Sequence, residues 1–152
     1  MGLTQDLREL SLSAGSDFFG VADLAPAYDA ILEQAGEPVA HFPRAIAIGI
    51  ILSDAVIDLL PDQMNASVAQ RYQTLYDETN QKLDQIAADI VACLRTSGAS
   101  ALAVCASRRV NEDRLYGLFS HKMAAHLAGL GWIGKSCLLI TPEAGPRVRW
   151  VT

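Results

Sequence analysis

Apolar residues recur at helical spacing from the start of the chain. Leu3, Leu7, Leu10 and Ala14 predict an amphipathic helix, with Thr4 as its N-cap and Gly15 as its stop. Phe18-Phe-Gly-Val-Ala22 predicts a short strand. Pro26 opens a helix through about Gln34, which Gly36-Glu-Pro38 breaks. Ala45–Leu52 is continuously apolar, as a central strand covered on both faces requires. Asp54 is placed to cap a short helix that Pro61 stops. Ser67–Thr96 contains neither Gly nor Pro and predicts a helix of about 45 Å. Its apolar stripe is Leu75, Leu83, Ile86, Ile90 and Leu94.

Beyond that helix, Ala101-Leu-Ala-Val-Cys-Ala106 predicts a second buried strand. A loop over 107–117, a helix from about Phe119 to Ala128, and strands Leu138–Thr141 and Arg147–Val151 complete the chain. Strands and helices alternate without repeats or linkers. The expected fold is an α/β (α+β) sandwich on a mixed sheet with helices on both faces, formed as a single domain over residues 1–152.

Composition narrows the function classes. Apolar residues make up 51% and charged residues 19%, which excludes disordered and fibrous chains. A net charge of −5 argues against a general nucleic-acid surface. The basic concentrations, Arg108-Arg109 with Arg114 and Arg147 with Arg149, read as short surface pairs. Cys93, Cys105 and Cys137 form no C-x-x-C and sit in apolar runs, so buried free thiols are expected, with no readable cluster or zinc site. No apolar run reaches 18 residues, and the N-terminus reads as a helix rather than a leader. The expectation is a cytoplasmic, reduced protein with no membrane partner.

Gly129-Leu-Gly-Trp-Ile-Gly-Lys-Ser136 matches both G-x-x-x-x-G-K-[ST] and G-x-G-x-x-G. Both phosphate-binding mechanisms need a strand before the glycines and a helix after them. Here a helical pattern enters and a strand-like run, Cys137–Thr141, leaves. The expected geometry is a helix C-cap, with Gly129 or Gly131 left-handed and Trp132 and Ile133 turning back into the core. A P-loop nucleotide binder is the weakest of the functional readings.

The longer stretch from Ser120 to Arg149, containing Ala128-Gly-Leu-Gly-Trp-Ile-Gly-Lys-Ser136 and Leu138-Leu-Ile-Thr-Pro-Glu-Ala-Gly145, resembles the epoxyqueuosine reductase family and its iron–sulfur paralogues. Residues 1–110 follow that family in outline. The resemblance implies a nitroreductase-like, cobalamin-binding domain followed by a ferredoxin-like module with two iron–sulfur clusters, which would begin about where Val151-Thr152 stands. Family enzymes use reduced cobalamin to remove the epoxide oxygen of a modified tRNA base. The family's acidic proton donor falls at Leu115 here, with Asp113 displaced by one or two residues. A paralogue of unassigned substrate fits better than the reductase proper, and tRNA would be a partner only for the latter.

Several residues are candidates for chemistry. His121 and His126 lie on one helix about 140° apart, so one is expected to face a cavity and the other to be a solvent or packing residue. His121 is the catalytic candidate, as the side chain that titrates near neutrality; Asp113 joins it by the resemblance. Gly129, Gly131, Trp132, Gly134, Lys135 and Ser136 are the expected cofactor contacts. Tyr72 and Tyr76 form an i, i+4 patch expected to pack. The turn Thr141–Pro146 should place Arg147 and Arg149 on one strand face and Val148 and Trp150 on the other.

Three functions stand open: a cobalamin-binding oxidoreductase domain completed by an iron–sulfur module or protein, a non-enzymatic dimerisation or partner-binding domain, and the nucleotide binder. A homodimer is the expected assembly.

Overall fold

The structure is a computed structural model and describes residues 2–107, 109–111 and 116–152. Seven strands and six α-helices lie among these residues. Helix α1 (Leu3–Ser13) leads into β1 (Phe18–Asp23). A 3₁₀ turn carrying Pro26, then α2 (Tyr28–Ala35) and α3 (Glu37–Ala40), connect to β2 (Arg44–Ile51). The short α4 (Asp54–Ile57) precedes α5 (Ala66–Thr96), a helix of 31 residues. Then follow β3 (Arg109–Asn111), β4 (Tyr116–Gly117), α6 (His121–Leu127), β5 (Trp132–Ile133), β6 (Leu139–Ile140) and β7 (Val148–Val151).

The main sheet has the order β1-β2-β7, so the apolar run 45–52 supplies the central strand as its composition requires. Side chains of consecutive strand residues alternate between two cores. Phe18, Ala22, Ala45, Ala47, Val148 and Trp150 pack with α2, α3 and α6. Phe19, Ile48 and Val151 pack with α1 and α5 through Leu7, Leu83, Ile86 and Ile90. The result is an α+β sandwich with helices on both faces. Each fully buried Leu or Ile of the α5 stripe contributes about 1.5–3 kcal/mol. All described strand pairs are antiparallel, so the sheet is not mixed. Parallel pairing needs a connection that carries the chain back to the end where the first strand began, and β1 reaches β2 through α2 and α3 as an antiparallel neighbour instead.

Other local expectations are corrected. Helix α1 is preceded by Gly2, and Thr4 lies inside it. Helix α4 begins at Asp54 after Ser53, with no side-chain cap bond. Helix α5 is capped by Asn65, whose Oδ1 accepts from the Ser67 N–H at 2.9 Å. Gly36, at φ 76°, ends α2, and the helix resumes at once because Pro38 occupies a first-turn position needing no N–H donor. Residues 101–105 form no strand. Val104 N–H donates to the Thr152 carbonyl at 2.8 Å, while the Ala106 N–H turns to Asp84. Cys105 and Cys137 are exposed and Cys93 is half-buried, not buried thiols. No helix among the described residues is long and apolar enough to cross a membrane.

Candidate functional site

The glycine motif is a helix end followed by a hairpin. Ser120 caps α6, its Oγ accepting from the Met123 N–H at 3.3 Å. At the other end Leu130 N–H reaches Ala125 C=O at 3.0 Å and Gly129 N–H reaches His126 C=O at 2.9 Å. This 6→1 and 5→2 pair is a Schellman closure, and Gly129 supplies its left-handed residue at φ 75°. Strand β5 then pairs with β6 through a turn in which Gly134 N–H bonds Leu138 C=O at 2.9 Å. No helix leaves Lys135 and Ser136, so the strand–glycine–helix order of a phosphate loop is absent here.

The space beside two of the glycines belongs to the protein's own chain. A Cβ on Gly131 would stand 2.3 Å from the Ile140 carbonyl oxygen, and one on Gly134 would stand 2.6 Å from Ile140 Cδ1. Trp132 and Ile133 do not return to the core; they are 51% and 47% exposed. The two-residue strand faces outward because β5 pairs only with β6 and lies outside the main sheet. Lys135 and Ser136 are exposed at the hairpin tip. His126 is also exposed, and its Nδ1 donates to the Gly131 carbonyl at 3.0 Å, bracing the same turn.

His121 lies elsewhere. It opens on a cavity of ≈ 580 Å³ whose walls include Tyr76, Cys105, Arg149, Trp150 and Gln34. None of the six residues expected to contact a cofactor lines it; the hairpin contributes Leu138 and Leu139 at one edge. The lining includes Ser107 and Gly117, which flank the stretch containing Asp113. Asp113 itself, like Arg114 and Leu115, lies outside the described residues.

Both ring nitrogens of His121 are engaged. Nε2 approaches the Cys105 carbonyl at 3.2 Å and Nδ1 approaches Thr152 Oγ1 at 3.0 Å. A carbonyl only accepts, so Nε2 carries the proton, and the neutral ring's Nδ1 accepts from the threonine hydroxyl. Burial pushes the imidazole below its ordinary pKa; the nearby Arg149 charge acts in the same direction, while the Cys105 carbonyl and Asp84 oppose it. His121 is therefore a neutral strut between the 104–105 segment and the end of β7.

Arg149 is the cation of the cavity. Its Nε donates to Asn80 Oδ1 at 2.7 Å and its Nη2 to Tyr76 Oη at 2.7 Å, with the guanidinium 4.2 Å from the Tyr76 ring centroid. Nη2 also lies 3.3 Å from the Ala106 carbonyl. These contacts fix a planar cation against the wall, an arrangement suited to recognising a carboxylate, phosphate or amide oxygen. As the strand alternation requires, Val148 and Trp150 face the opposite core. Arg147, on Arg149's side, bridges Asp54 at 2.5 Å and Asp58 at 2.7 Å on the surface, which raises its pKa.

Tyr76 and Asn80 were not selected as site residues from the sequence. The available signal was the place of Asn80 three residues before Leu83 of the apolar stripe, where the structure buries it with Thr79. Among the described residues no group of His, Cys, Asp and Glu is placed to hold a metal ion. No protein-family model, curated protein or solved structure matches this chain.

Proposed function

We propose that this chain is the cofactor-binding domain of a cytoplasmic oxidoreductase of the epoxyqueuosine reductase type, acting on a substrate other than that of the reductase proper. The observation that carries the reading is the cavity between α5, α6 and β7, where a fixed guanidinium, a neutral imidazole and the Tyr76 ring converge. Its volume falls in the range of ordinary ligand sites, roughly 300–1,000 Å³. The cofactor implied by the resemblance is cobalamin, which supplies redox chemistry at its metal when bound. The lining fits an edge of such an amide-fringed group. Arg149 would bind its acceptor oxygens, Tyr76 would flank it, and Lys122 would add positive charge at the mouth. His121, committed at both nitrogens, would orient the wall and is not a metal ligand. Electrons would come from an iron–sulfur module or protein.

The test is a visible-absorption titration of the purified chain with hydroxocobalamin. A saturable spectral change that Arg149→Met weakens about tenfold, as loss of a charged hydrogen bond predicts, supports the reading. No saturable change up to about 1 mM, an affinity of only about 4 kcal/mol, defeats it.

A second reading is a non-enzymatic partner-binding domain. It is favoured by the exposed apolar side chains of Trp132, Ile133 and Leu138 on one small hairpin. Light scattering at increasing concentration tests its homodimeric form, with Trp132→Ser expected to abolish any dimer.

A further inference from the structure

Arg147 and Arg149 leave β7 on the same side yet meet opposite surroundings. Arg147 is held at the surface by the carboxylates of Asp54 and Asp58. Arg149 is part-buried, and its partners are all neutral: the Asn80 amide oxygen, the Tyr76 hydroxyl and the Ala106 carbonyl. These partners engage Nε and Nη2. Among the described residues no carboxylate pairs with this guanidinium, and its Nη1 meets no acceptor.

Tyr76 supplies a second donor. A guanidinium cannot accept a hydrogen bond, so the Tyr76 oxygen accepts from Nη2 and keeps its own proton. No acceptor among the described residues takes that proton. The main-chain acceptors around Arg149 are occupied already: the Cys105 carbonyl by His121 Nε2 and the Ala106 carbonyl by Arg149 itself. Asp84, the nearest described carboxylate to act on His121, is turned to the Ala106 N–H at 2.8 Å and lies outside the cavity lining. The described lining holds neither Asp nor Glu, whereas Lys122 belongs to it, its Nζ on the Cys137 carbonyl. Leu118 and Leu138 add apolar wall.

The cavity thus combines uncommitted donors with an uncompensated positive charge. An amide or alcohol oxygen accepts the donors but leaves a partly desolvated cation without a counterion, which is costly. An oxyanion does both, and its charge-assisted hydrogen bonds are roughly twice as strong as neutral ones.

We propose that this cavity selects a ligand bearing an oxyanion, a carboxylate or a phosphate, which receives the Arg149 Nη1–H groups and the Tyr76 hydroxyl while its apolar body lies along Leu118 and Leu138. The proposal rests on the reading of this cavity as the ligand site and narrows the oxygen at Arg149 to a charged one. Arg149 and Tyr76 are its specificity determinants.

The test is an amide-resolved NMR titration of the purified chain with benzoate, phenyl phosphate and benzamide at constant ionic strength. Benzamide keeps the shape of benzoate and lacks its charge. Saturable shifts centred on Tyr76, Cys105 and Arg149 are expected with at least one anion, and benzamide should bind at least about tenfold more weakly. The tighter of the two anions identifies the ligand group as carboxylate or phosphate. Arg149→Lys keeps the charge and loses the planar fork, and should weaken the anion about tenfold. Tyr76→Phe, which keeps the ring, should weaken it about three- to tenfold, and it decides the matter together with benzamide where Arg149→Lys fails to fold. Benzamide binding as tightly as the anions, anion affinity unchanged in Tyr76→Phe, shifts confined to other regions, or no saturable shift at millimolar probe would overturn the proposal. Hydroxocobalamin binding beside a failed anion titration sinks the oxyanion alone. Anion binding without hydroxocobalamin binding sinks the cofactor reading alone.

Discussion

The hairpin over 129–141 and the cavity around His121 are neighbours on the same helix, yet they use polar groups in opposite ways. In the hairpin the groups close on one another. The helix carbonyls are taken by Gly129 and Leu130, the turn is bonded internally, and Ile140 occupies the space beside Gly131 and Gly134. In the cavity, groups from distant segments converge on a volume the protein does not fill: Tyr76 from α5, Cys105 from an extended stretch, His121 from α6 and Arg149 from β7. A motif rich in ligand-binding residue types here closes a helix and a hairpin, and ligand-type geometry also arises where no motif exists.

Substitutions can break that contrast. The largest effect is expected at Gly131. Gly131→Ala places a methyl group against the Ile140 carbonyl and should destabilise the chain by about 3 kcal/mol in urea unfolding, the upper end for overpacking. A variant of unchanged stability that loses ligand binding would instead make the hairpin a cradle. Arg149→Met should cost about 2 kcal/mol in the same assay, because the Asn80 and Ala106 oxygens lose their donor. Gly129→Ala meets no atom within 4 Å, so only its left-handed backbone resists, at about 1–2 kcal/mol. Gly129→Asn should recover part of that loss.

The pH dependence sharpens the contrast further. The folded-state pKa of His121 lies below its unfolded value, so the unfolded chain binds the extra proton first. Stability should be full above the ordinary histidine range and fall as pH drops through it toward the lower folded pKa. His121→Asn should flatten that part of the stability–pH profile measured by chemical denaturation. The smallest effect is expected at the hairpin tip. Lys135→Ala should change stability by no more than about 0.5 kcal/mol and leave ligand affinity unaltered.

The parts of the fold carried by local periodicity were legible in the sequence. The α5 stripe and the apolar run of β2 each announce their element through spacing within a few residues, whereas Ser120, read as part of α6, caps it instead. Glycines ending a helix also predicted the left-handed turn at Gly129. The exposure of Trp132 and Ile133 was not legible, because it depends on β5 pairing outside the main sheet rather than on either residue's hydropathy. The 101–106 run has a strand's composition but receives one ladder bond, and composition does not encode which neighbours are in reach. The cavity followed the same rule. His121 could be singled out by residue type, but its company of Tyr76, Asn80 and Arg149 is set by contacts spanning half the chain.

The antiparallel register of β7 on β2 has a kinetic consequence. Ile48 and Val151 meet only after about two thirds of the chain has been gathered between them, and closing so long a loop is entropically unfavourable until the contacts form. The β1–β2 pair and the contacts within α5 are far more local and should assemble earlier. Arg149 and the Thr152 strut of His121 then arrive with the last strand to dock. The cavity is consequently a late product of folding, and transient release of β7 would dismantle it while the rest of the sandwich stands. An occupant of that cavity would act as a clasp, slowing the departure of the strand that completes its own wall.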